Sequence, residues 1–461
     1  MGESESSPRT EAAFRKDWTK GSILNNLLLL SWPMVAMESL YVVSQIIDMI
    51  WVGRLGSTAI AAVGIANIVL MLIMSMSMGL IVGARALIAR YIGALDIAGA
   101  NHVVGQAIIL STTWGLLVTV VGIFLAHPVL SLFGLEAEVV IDGVAYLRVM
   151  FAGWVAMEVL VMCLYTIQAA GDAVTPLKVE FLLRAVHVTI CPFLVLGWWV
   201  FPRMGVSGAA LSNVISQCLG VVVVLWILFG GHTRLQPTLR DLHLTPSIIW
   251  RILKISIPAL VMSLQRAFGN LILTWLIIPF GTLAVAAHSL ASRMEMFITV
   301  PGMAAGNSAG VLVGQNLGAG QPERAERSTW LALSLVEAFM VTCSMVILLW
   351  AEGIMGIFTT DPGLVELGSI FLRIATAGYM LIAFVAVLQS SIAGAGDTIP
   401  IMIVSIVAIW AVQLPLAFLL PQVANLGVFG LRWALVAGTV AAAIAYITYF
   451  RLGRWKAKKL W

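Results

Sequence analysis

Residues 58–83 read TAIAAVGIANIVLMLIMSMSMGLIVG and contain no charged side chain. About 20 apolar residues in a helix cross a hydrocarbon core roughly 30 Å thick, so this stretch is long enough to span a membrane. Similar runs recur along nearly the whole 461-residue chain, which is 61% hydrophobic and only 10% charged. A soluble protein carries about 25% charged residues. The composition therefore predicts an all-α integral membrane protein.

The apolar runs predict about twelve transmembrane helices, numbered here as spans 1 to 12. The first run is too long for the apolar region of a cleaved signal peptide, which has about 7–15 residues, so span 1 is predicted to be retained. The predicted ranges are 24–52, 58–83, 103–126, 143–168, 179–201, 206–230, 252–278, 283–308, 329–351, 367–392, 399–420 and 427–450.

The basic residues predict the orientation of the chain in the membrane. An even number of spans puts both termini on one side, and that side holds 18 of the 26 Lys and Arg. The opposite loops hold only Arg54 and Arg203. By the positive-inside rule, both termini are predicted to be cytoplasmic, in the inner (cytoplasmic) membrane of a cell. The 18 residues are Arg9, Arg15, Lys16, Lys20, Arg85, Arg90, Lys178, Arg234, Arg240, Arg251, Lys254, Arg324, Arg327, Arg451, Arg454, Lys456, Lys458 and Lys459.

Cysteine usage and net charge bear on cofactors and partners. The four cysteines lie in apolar runs without C-x-x-C spacing, which predicts neither a disulfide framework nor a zinc site. The pI of about 8.9 comes from basic residues beside the spans, so it reflects topology rather than nucleic-acid binding. We expect the lipid bilayer and small-molecule substrates as partners, no nucleic acid, no cofactor and a monomer.

An internal repeat is the most specific feature of the sequence. A constant offset of 225 residues aligns five blocks of the two halves, and beyond them the offset drifts by a few residues. Six spans separate equivalent positions, so the halves are parallel repeats, an arrangement that permits alternating access to a central site in transporters. A duplicated channel is the alternative. The blocks are Ser31-x-Pro33 with Ser256-x-Pro258, Gly56-x-x-Ala59 with Gly281-x-x-Ala284, Gly93-Ala94 with Gly318-Ala319, Leu147-Arg148 with Leu372-Arg373, and Gly171-Asp172 with Gly396-Asp397.

The repeat and the polar segments predict the domain organisation. Residues 1–22 form a polar cytoplasmic tail and residues 23–230 a six-helix lobe. Residues 231–250 form a cytoplasmic linker, residues 251–450 a second six-helix lobe, and residues 451–461 a basic cytoplasmic tail. The repeated glycines are interpreted as positions where helices approach closely.

Motifs in both halves resemble the multidrug and toxic compound extrusion (MATE) family, in the right order over residues 25–450. The likeness rests on Ser31-Trp32-Pro33, on Asp48-Met49-Ile50-Trp51-Val52-Gly53-Arg54-Leu55-Gly56, on Gly171-Asp172-x-x-x-Pro176, on Gly205-Val206-x-Gly208 and on Val313-Gly314-Gln315-Asn316-Leu317-Gly318. The resemblance implies an antiporter that exports amphipathic, often cationic drugs or metabolites and is driven by inward flow of protons or sodium.

The resemblance also implies where the coupling ion binds. A carboxylate on span 1 of the family matches Asp48. Many prokaryotic relatives carry a second carboxylate and an asparagine on span 5 and a hydroxyl or amide on span 6. The matching positions here are His187, Cys191 and Asn213. Since an imidazole and a thiol stand where sodium would need oxygen ligands, protons are favoured over sodium.

Further polar residues within the spans are candidates for the substrate cavity or for charges inside the lobes. Glu180, Arg184, His187 and Cys191 are spaced i, i+4, i+7 and i+11, which places them on one stripe of span 5. Glu180 and Arg184 can also form a structural pair near the cytoplasmic end of that span.

Three further candidates lie on other spans. Gln217 follows Asn213 by one helical turn on span 6. In the second half, Arg266 replaces an acid that some relatives carry on span 7, and Glu295 lies on span 8. Pairing between Arg266 and Glu295 is one arrangement that the sequence allows.

Two other functions compete with a cation-coupled exporter. The first is a flippase for a lipid-linked substrate, which a related branch of the same superfamily suggests. A flippase would be expected to have a large cationic central cavity or additional spans. The chain has twelve spans and only scattered buried arginines, which argues against this function. The second is an intramembrane enzyme, but the sequence contains no His-Glu-x-x-His motif. We therefore expect a transporter and not an enzyme.

Overall fold

The computed structural model describes residues 16–199, 201–423 and 426–460, and nearly all of them are helical. Eleven helices are long and apolar enough to cross a membrane, and a bent pair makes twelve. The prediction of an all-α protein with twelve spans is confirmed. The helices are Ile23–Gly53 (span 1), Ser57–Gly93 (span 2), Ile97–Ser131 (span 3), Ala137–Ala152 with Trp154–Ala169 (span 4), Val174–Leu196 (span 5), Val206–Phe229 (span 6), Pro246–Ile277 (span 7), Thr282–Gly318 (span 8), Pro322–Gly356 (span 9), Pro362–Gly394 (span 10), Thr398–Gln422 (span 11) and Val428–Arg451 (span 12).

Spans 4 and 11 depart from a regular α-helix. Span 4 bends by 52° at Gly153, which the sequence did not predict. A Cβ atom at Gly153 would lie 2.5 Å from the side chain of Val214, so the bend brings span 4 against span 6. Span 11 contains a π-helical segment at Val407–Gln413.

The chain forms two compact units. One contains Ala36–Leu253, and the other contains Trp18–Val35 with the residues from Lys254 onward. The linker predicted at 231–250 belongs to the first unit. The first half of span 1, predicted within the lobe 23–230, belongs to the second. The division follows Pro33, which removes a backbone donor from the helix and weakens its continuity there. Most of the predicted tail 1–22 and the terminal Trp461 lie outside the described residues.

At most of the repeated glycines, the reason for glycine is not the predicted close approach of helices. Three repeated pairs have positive φ, a region that a side chain rarely adopts, so they serve the turns between spans. Gly208 fits the predicted close approach, because a Cβ atom there would lie 2.5 Å from the Leu194 carbonyl oxygen. The positive-φ pairs are Gly56 with Gly281, Gly171 with Gly396, and, where the offset has drifted to 222 residues, Gly205 with Gly427.

The segments that follow spans 6 and 12 fold back onto their own units in equivalent ways. After span 6, the Gln106 amide donates to the carbonyl oxygens of Asp241 (3.0 Å) and His243 (2.7 Å). After span 12, the Lys456 ammonium pairs with Glu326 at 2.5 Å. Gln106 and Glu326 lie in the early turns of spans 3 and 9, which are equivalent in the repeat. The segment that follows each six-span half therefore packs against the early turns of span 3 or span 9 in that half.

Spans 8 and 10 pack backbone to backbone, which gives a prediction for stability. A Cβ atom at Gly394 would lie 2.1 Å from the carbonyl oxygen of Gly310, and backbone cannot yield as a flexible side chain does. We expect Gly394→Ala to lower the free energy of unfolding by about 1–3 kcal/mol, as overpacking does. The matched control is Gly64→Ala, where a Cβ atom meets open space and the change should stay below about 1 kcal/mol. Equal unfolding midpoints for both variants in detergent would contradict this packing argument.

Candidate functional site

Asp48 and His187 form the centre of the candidate site, in the unit that contains Ala36–Leu253. Asp48 lies on the second half of span 1 and His187 on span 5. The Oδ1 atom of Asp48 and the Nε2 atom of His187 are 3.3 Å apart. The His187 side chain is fully buried, whereas that of Asp48 retains 27% exposure. The pair can therefore exchange ions through Asp48 while His187 stays out of contact with solvent.

The facing atoms of the pair lie at ion-pair distance but lack hydrogen-bond geometry. Asp48 Oδ1 and His187 Nε2 are both buried and have no hydrogen-bond partner. The other ring nitrogen, Nδ1, lies 3.2 Å from the buried hydroxyl of Ser44, one turn before Asp48. When Nδ1 carries the proton and donates it to Ser44, Nε2 is left as an acceptor facing a carboxylate oxygen. Two acceptors in contact create a place for one cation.

Cys191 lies on the same stripe of span 5 as His187 and completes the cluster. Its thiol, the Asp48 carboxylate and the His187 ring offer donor atoms that all lie within 4.8 Å of one another. The thiol lies beside the Asp48 carboxylate and the hydroxyl of Ser212 on span 6. The family resemblance pointed to Asn213 on that span, whereas the side chain that lies beside the thiol is its neighbour Ser212.

A second charged group lies one turn from the cluster. Arg184 contacts Glu180 at 2.6 Å, which confirms the predicted i, i+4 pair. The Arg184 guanidinium also lies 5.2 Å from the centre of the Tyr41 ring, a cation–π contact. Its charge acts on both Asp48 and His187. Because Glu180 neutralises Arg184, the net field at the cluster is smaller than a lone guanidinium would create.

Asn213 and Gln217 pair with each other. The Gln217 amide donates to Asn213 Oδ1 at 2.6 Å. Within the described residues, neither side chain hydrogen-bonds Asp48 or His187. The assignment of Asn213 to ion coupling and of Gln217 to the substrate cavity stays a prediction.

The unit that contains Lys254 onward has its own buried ionic cluster. The Arg432 guanidinium, only 2% exposed, contacts Glu295 at 2.7 Å, His288 Nδ1 at 3.4 Å and the face of Phe371 at 5.0 Å. Pairing of Glu295 with Arg266, the arrangement that the sequence allowed, is therefore wrong. Arg266 instead donates to the Gln389 side chain at 3.2 Å.

Sequence analysis overlooked one buried acid, Glu158 on span 4. Its Oε1 atom accepts hydrogen bonds from Ser77 and, at 2.9 Å, from the indole of Trp154. The side chain is 2% exposed, and no basic group forms an ion pair with it in the described part of the chain. An acidic residue within an apolar run was the available signal.

These features define a class of protein. Two six-span halves with ionisable clusters inside them are typical of membrane transport proteins. The MatE family model matches residues 33–193 and 258–419, once in each half and over more than half of the chain. The chain therefore belongs to the MatE family, and it is a MATE family transporter.

Known relatives match nearly the whole chain. A probable multidrug resistance protein NorM of Thermotoga maritima is 25% identical, over 95% of this chain and 94% of its own length. The probable multidrug resistance protein YpnP of Bacillus subtilis is 25% identical, over 96% and 98%. A crystal structure of MATE in the bent conformation matches with a TM-score of 0.89 and 25% identity, over 95% of this chain and 97% of that one. The family resemblance seen in the sequence is confirmed.

Proposed function

We propose that the protein is a secondary-active antiporter that exports amphipathic, cationic drugs or metabolites in exchange for protons. Membership of the MatE family supports the transport function. Relatives named as probable multidrug resistance proteins support the substrate class. The observation that carries the coupling proposal is the contact of 3.3 Å between Asp48 and His187, whose facing atoms have no hydrogen-bond partner.

The ligand chemistry of the cluster favours the proton over sodium. Hard cations bind several oxygen ligands. The cluster offers one carboxylate, one imidazole and one thiol, and the amide oxygen of Asn213 is occupied by Gln217. A proton needs one acceptor and is shared well between a carboxylate and an imidazole. The described side chains of this cluster therefore suit a proton better than a sodium ion.

Protonation is proposed to act through span 1. Asp48 is the ionisable group of the cluster on that span, and a buried negative charge raises the cost of packing the helix against apolar neighbours. Neutralising Asp48 removes that cost and biases the protein toward the conformation that releases substrate outside. Glu180, Arg184, Gln217, Arg266 and Glu295 are proposed to line the substrate cavity or to carry fixed charges within the lobes.

Flux measurements in vesicles test the choice of coupling ion. With purified protein in vesicles, an imposed proton gradient is expected to drive export of a cationic dye at constant sodium concentration. A sodium gradient of equal size at clamped, equal pH should drive no export above that of protein-free vesicles. Export driven equally well by sodium would overturn the proton assignment and leave the transport function standing.

The proposed orientation is multi-pass in the cytoplasmic membrane, with both termini and the linker inside the cell. Cysteine introduced at Gly2, His232 or Trp461 in a cysteine-free variant should react with an impermeant maleimide only after the cells are opened. A cysteine at Arg203, in a predicted outer loop, serves as the control and should react in intact cells. Labelling of any inner position in intact cells would contradict the topology.

A further inference from the structure

The cluster of Asp48, His187 and Cys191 combines three kinds of donor atom. A carboxylate oxygen, an imidazole nitrogen and a thiol sulfur lie within 4.8 Å of one another. His187 and Cys191 are fully buried, and His187 Nε2 faces Asp48 without a hydrogen-bond partner. Proton transfer needs a carboxylate and an imidazole but has no need of a third, sulfur-bearing ligand. The third, sulfur-bearing donor suits the cluster to a second ligand besides the proton.

We propose that Asp48, His187 and Cys191 form a binding site for a thiophilic divalent cation of the Zn²⁺ and Cd²⁺ class. Such an ion would occupy the atoms that the coupling proton uses and so inhibit export. Binding of the metal depends on geometry and donor chemistry alone. Its effect on export rests, in addition, on the proposed function of this site.

The spacing of the donor atoms agrees with tetrahedral coordination. Zinc binds nitrogen and oxygen at about 2.0–2.1 Å, so two such ligands at a tetrahedral angle lie about 3.3 Å apart. Asp48 Oδ1 and His187 Nε2 are 3.3 Å apart. With sulfur at about 2.3 Å from zinc, the third ligand lies within about 4 Å of the other two. The observed limit of 4.8 Å therefore requires at most a small rotation of the Cys191 side chain.

The surroundings of His187 match those of a metal-binding imidazole. Such a ring is usually fixed by a hydrogen bond from its other nitrogen, which sets the tautomer and points the free nitrogen at the metal. Here Nδ1 lies 3.2 Å from the Ser44 hydroxyl. Ser44 belongs to span 1, like Asp48, so a single helix supplies both the supporting group and one ligand.

The donor set also selects among metals. Calcium and magnesium bind oxygen ligands almost exclusively, whereas zinc and cadmium accept nitrogen, oxygen and thiolate. Three protein ligands leave one position for water, as in zinc sites that stay open to solvent. Asp48, with 27% of its side chain exposed, is the side from which an ion and that water can enter. Arg184 would oppose a cation, but Glu180 pairs with it at 2.6 Å.

Binding of Co²⁺, a spectroscopic substitute for zinc, tests the site in the purified full-length protein. We expect one Co²⁺ per chain, thiolate-to-cobalt charge-transfer absorption, and displacement by Zn²⁺. Cys191→Ser should abolish that absorption and weaken Zn²⁺ binding about ten-fold or more. The matched control is Cys218→Ser, because Cys218 is an exposed cysteine outside the cluster and should keep both properties.

A second variant keeps the test decisive if Cys191→Ser does not fold. Ser44→Ala retains all three ligands and removes only the support for His187, and it should weaken Zn²⁺ binding about ten-fold. Absence of thiolate charge transfer in the wild type, or a signal unchanged in Cys191→Ser, would overturn the metal site.

Export assays separate this inference from the proposed function. Zn²⁺ should inhibit proton-driven export by the wild type and by Cys218→Ser, and the inhibited fraction should fall in Cys191→Ser. If Co²⁺ binds as expected but Zn²⁺ leaves export unchanged, the metal site stands and proton coupling at Asp48 is wrong. If proton-driven export is intact but no thiolate-bound metal appears, the metal site is wrong and the proposed function stands.

Discussion

Asp48→Asn is expected to reduce proton-driven export to the rate of protein-free vesicles while leaving the protein folded. Asparagine keeps the size and polarity of the side chain but cannot take up and release a proton at physiological pH. It therefore imitates a permanently neutral Asp48, and span 1 should no longer respond to the gradient. His187→Ala removes the second group of the pair and should shift the pH at which export is fastest rather than abolish export.

Asp96→Asn is the matched control for this substitution. Asp96 is an exposed carboxylate that caps span 3 by accepting from the Gly99 backbone amide at 2.8 Å. Asparagine caps a helix about as well as aspartate does, so this variant should fold and export normally. Dye export in vesicles and elution of both variants as single species give the comparison. Export by Asp48→Asn at half the wild-type rate or more would show that the coupling proton binds elsewhere.

The architecture was accessible to sequence analysis because its causes are local or periodic. Apolar runs of membrane-spanning length identified all twelve spans, and the offset of 225 residues identified the duplication. The bend in span 4 was not accessible in this way. Gly153 lies at the bend, whereas the equivalent Gly378 lies within the unbroken helix Pro362–Gly394. The difference comes from packing against other spans, such as the contact with Val214, and packing has no signature at one position.

The candidate sites show the same difference between local patterns, which can be predicted from sequence, and long-range contacts, which cannot. The polar stripe on span 5 is a local pattern, so His187 and Cys191 were named from sequence. The family resemblance grouped both residues with Asp48, but the contact of 3.3 Å between Asp48 and His187, 139 residues apart, is seen only in the fold. The partner of Glu295 was missed for the same reason. Arg432, near the start of span 12, is 137 residues away from it, and no local pattern in the sequence connects the two.

Arg432→Ala is expected to cause the largest loss of stability, about 3–5 kcal/mol in free energy of unfolding. Removal of one partner from a buried ion pair leaves the other charge uncompensated, and losses of this size follow. Arg432 is 2% exposed and Glu295 25%, so water can restore only part of the lost interaction. The substitution also removes the contact of the guanidinium with Phe371. Equilibrium unfolding in mixed detergent micelles measures the change.

Two further variants show whether burial is the cause. Arg373→Ala breaks the pair with Glu352, whose partners are 40% and 66% exposed, and pairs of this kind contribute about 0–1 kcal/mol. The double variant Arg432→Met with Glu295→Leu removes both charges and should recover most of the stability, because apolar residues of similar volume often replace a buried pair without loss. Equal losses for Arg432→Ala and Arg373→Ala would mean that Glu295 is solvated. A double variant as unstable as Arg432→Ala would mean that packing on Phe371, and not the uncompensated charge of Glu295, accounts for the loss.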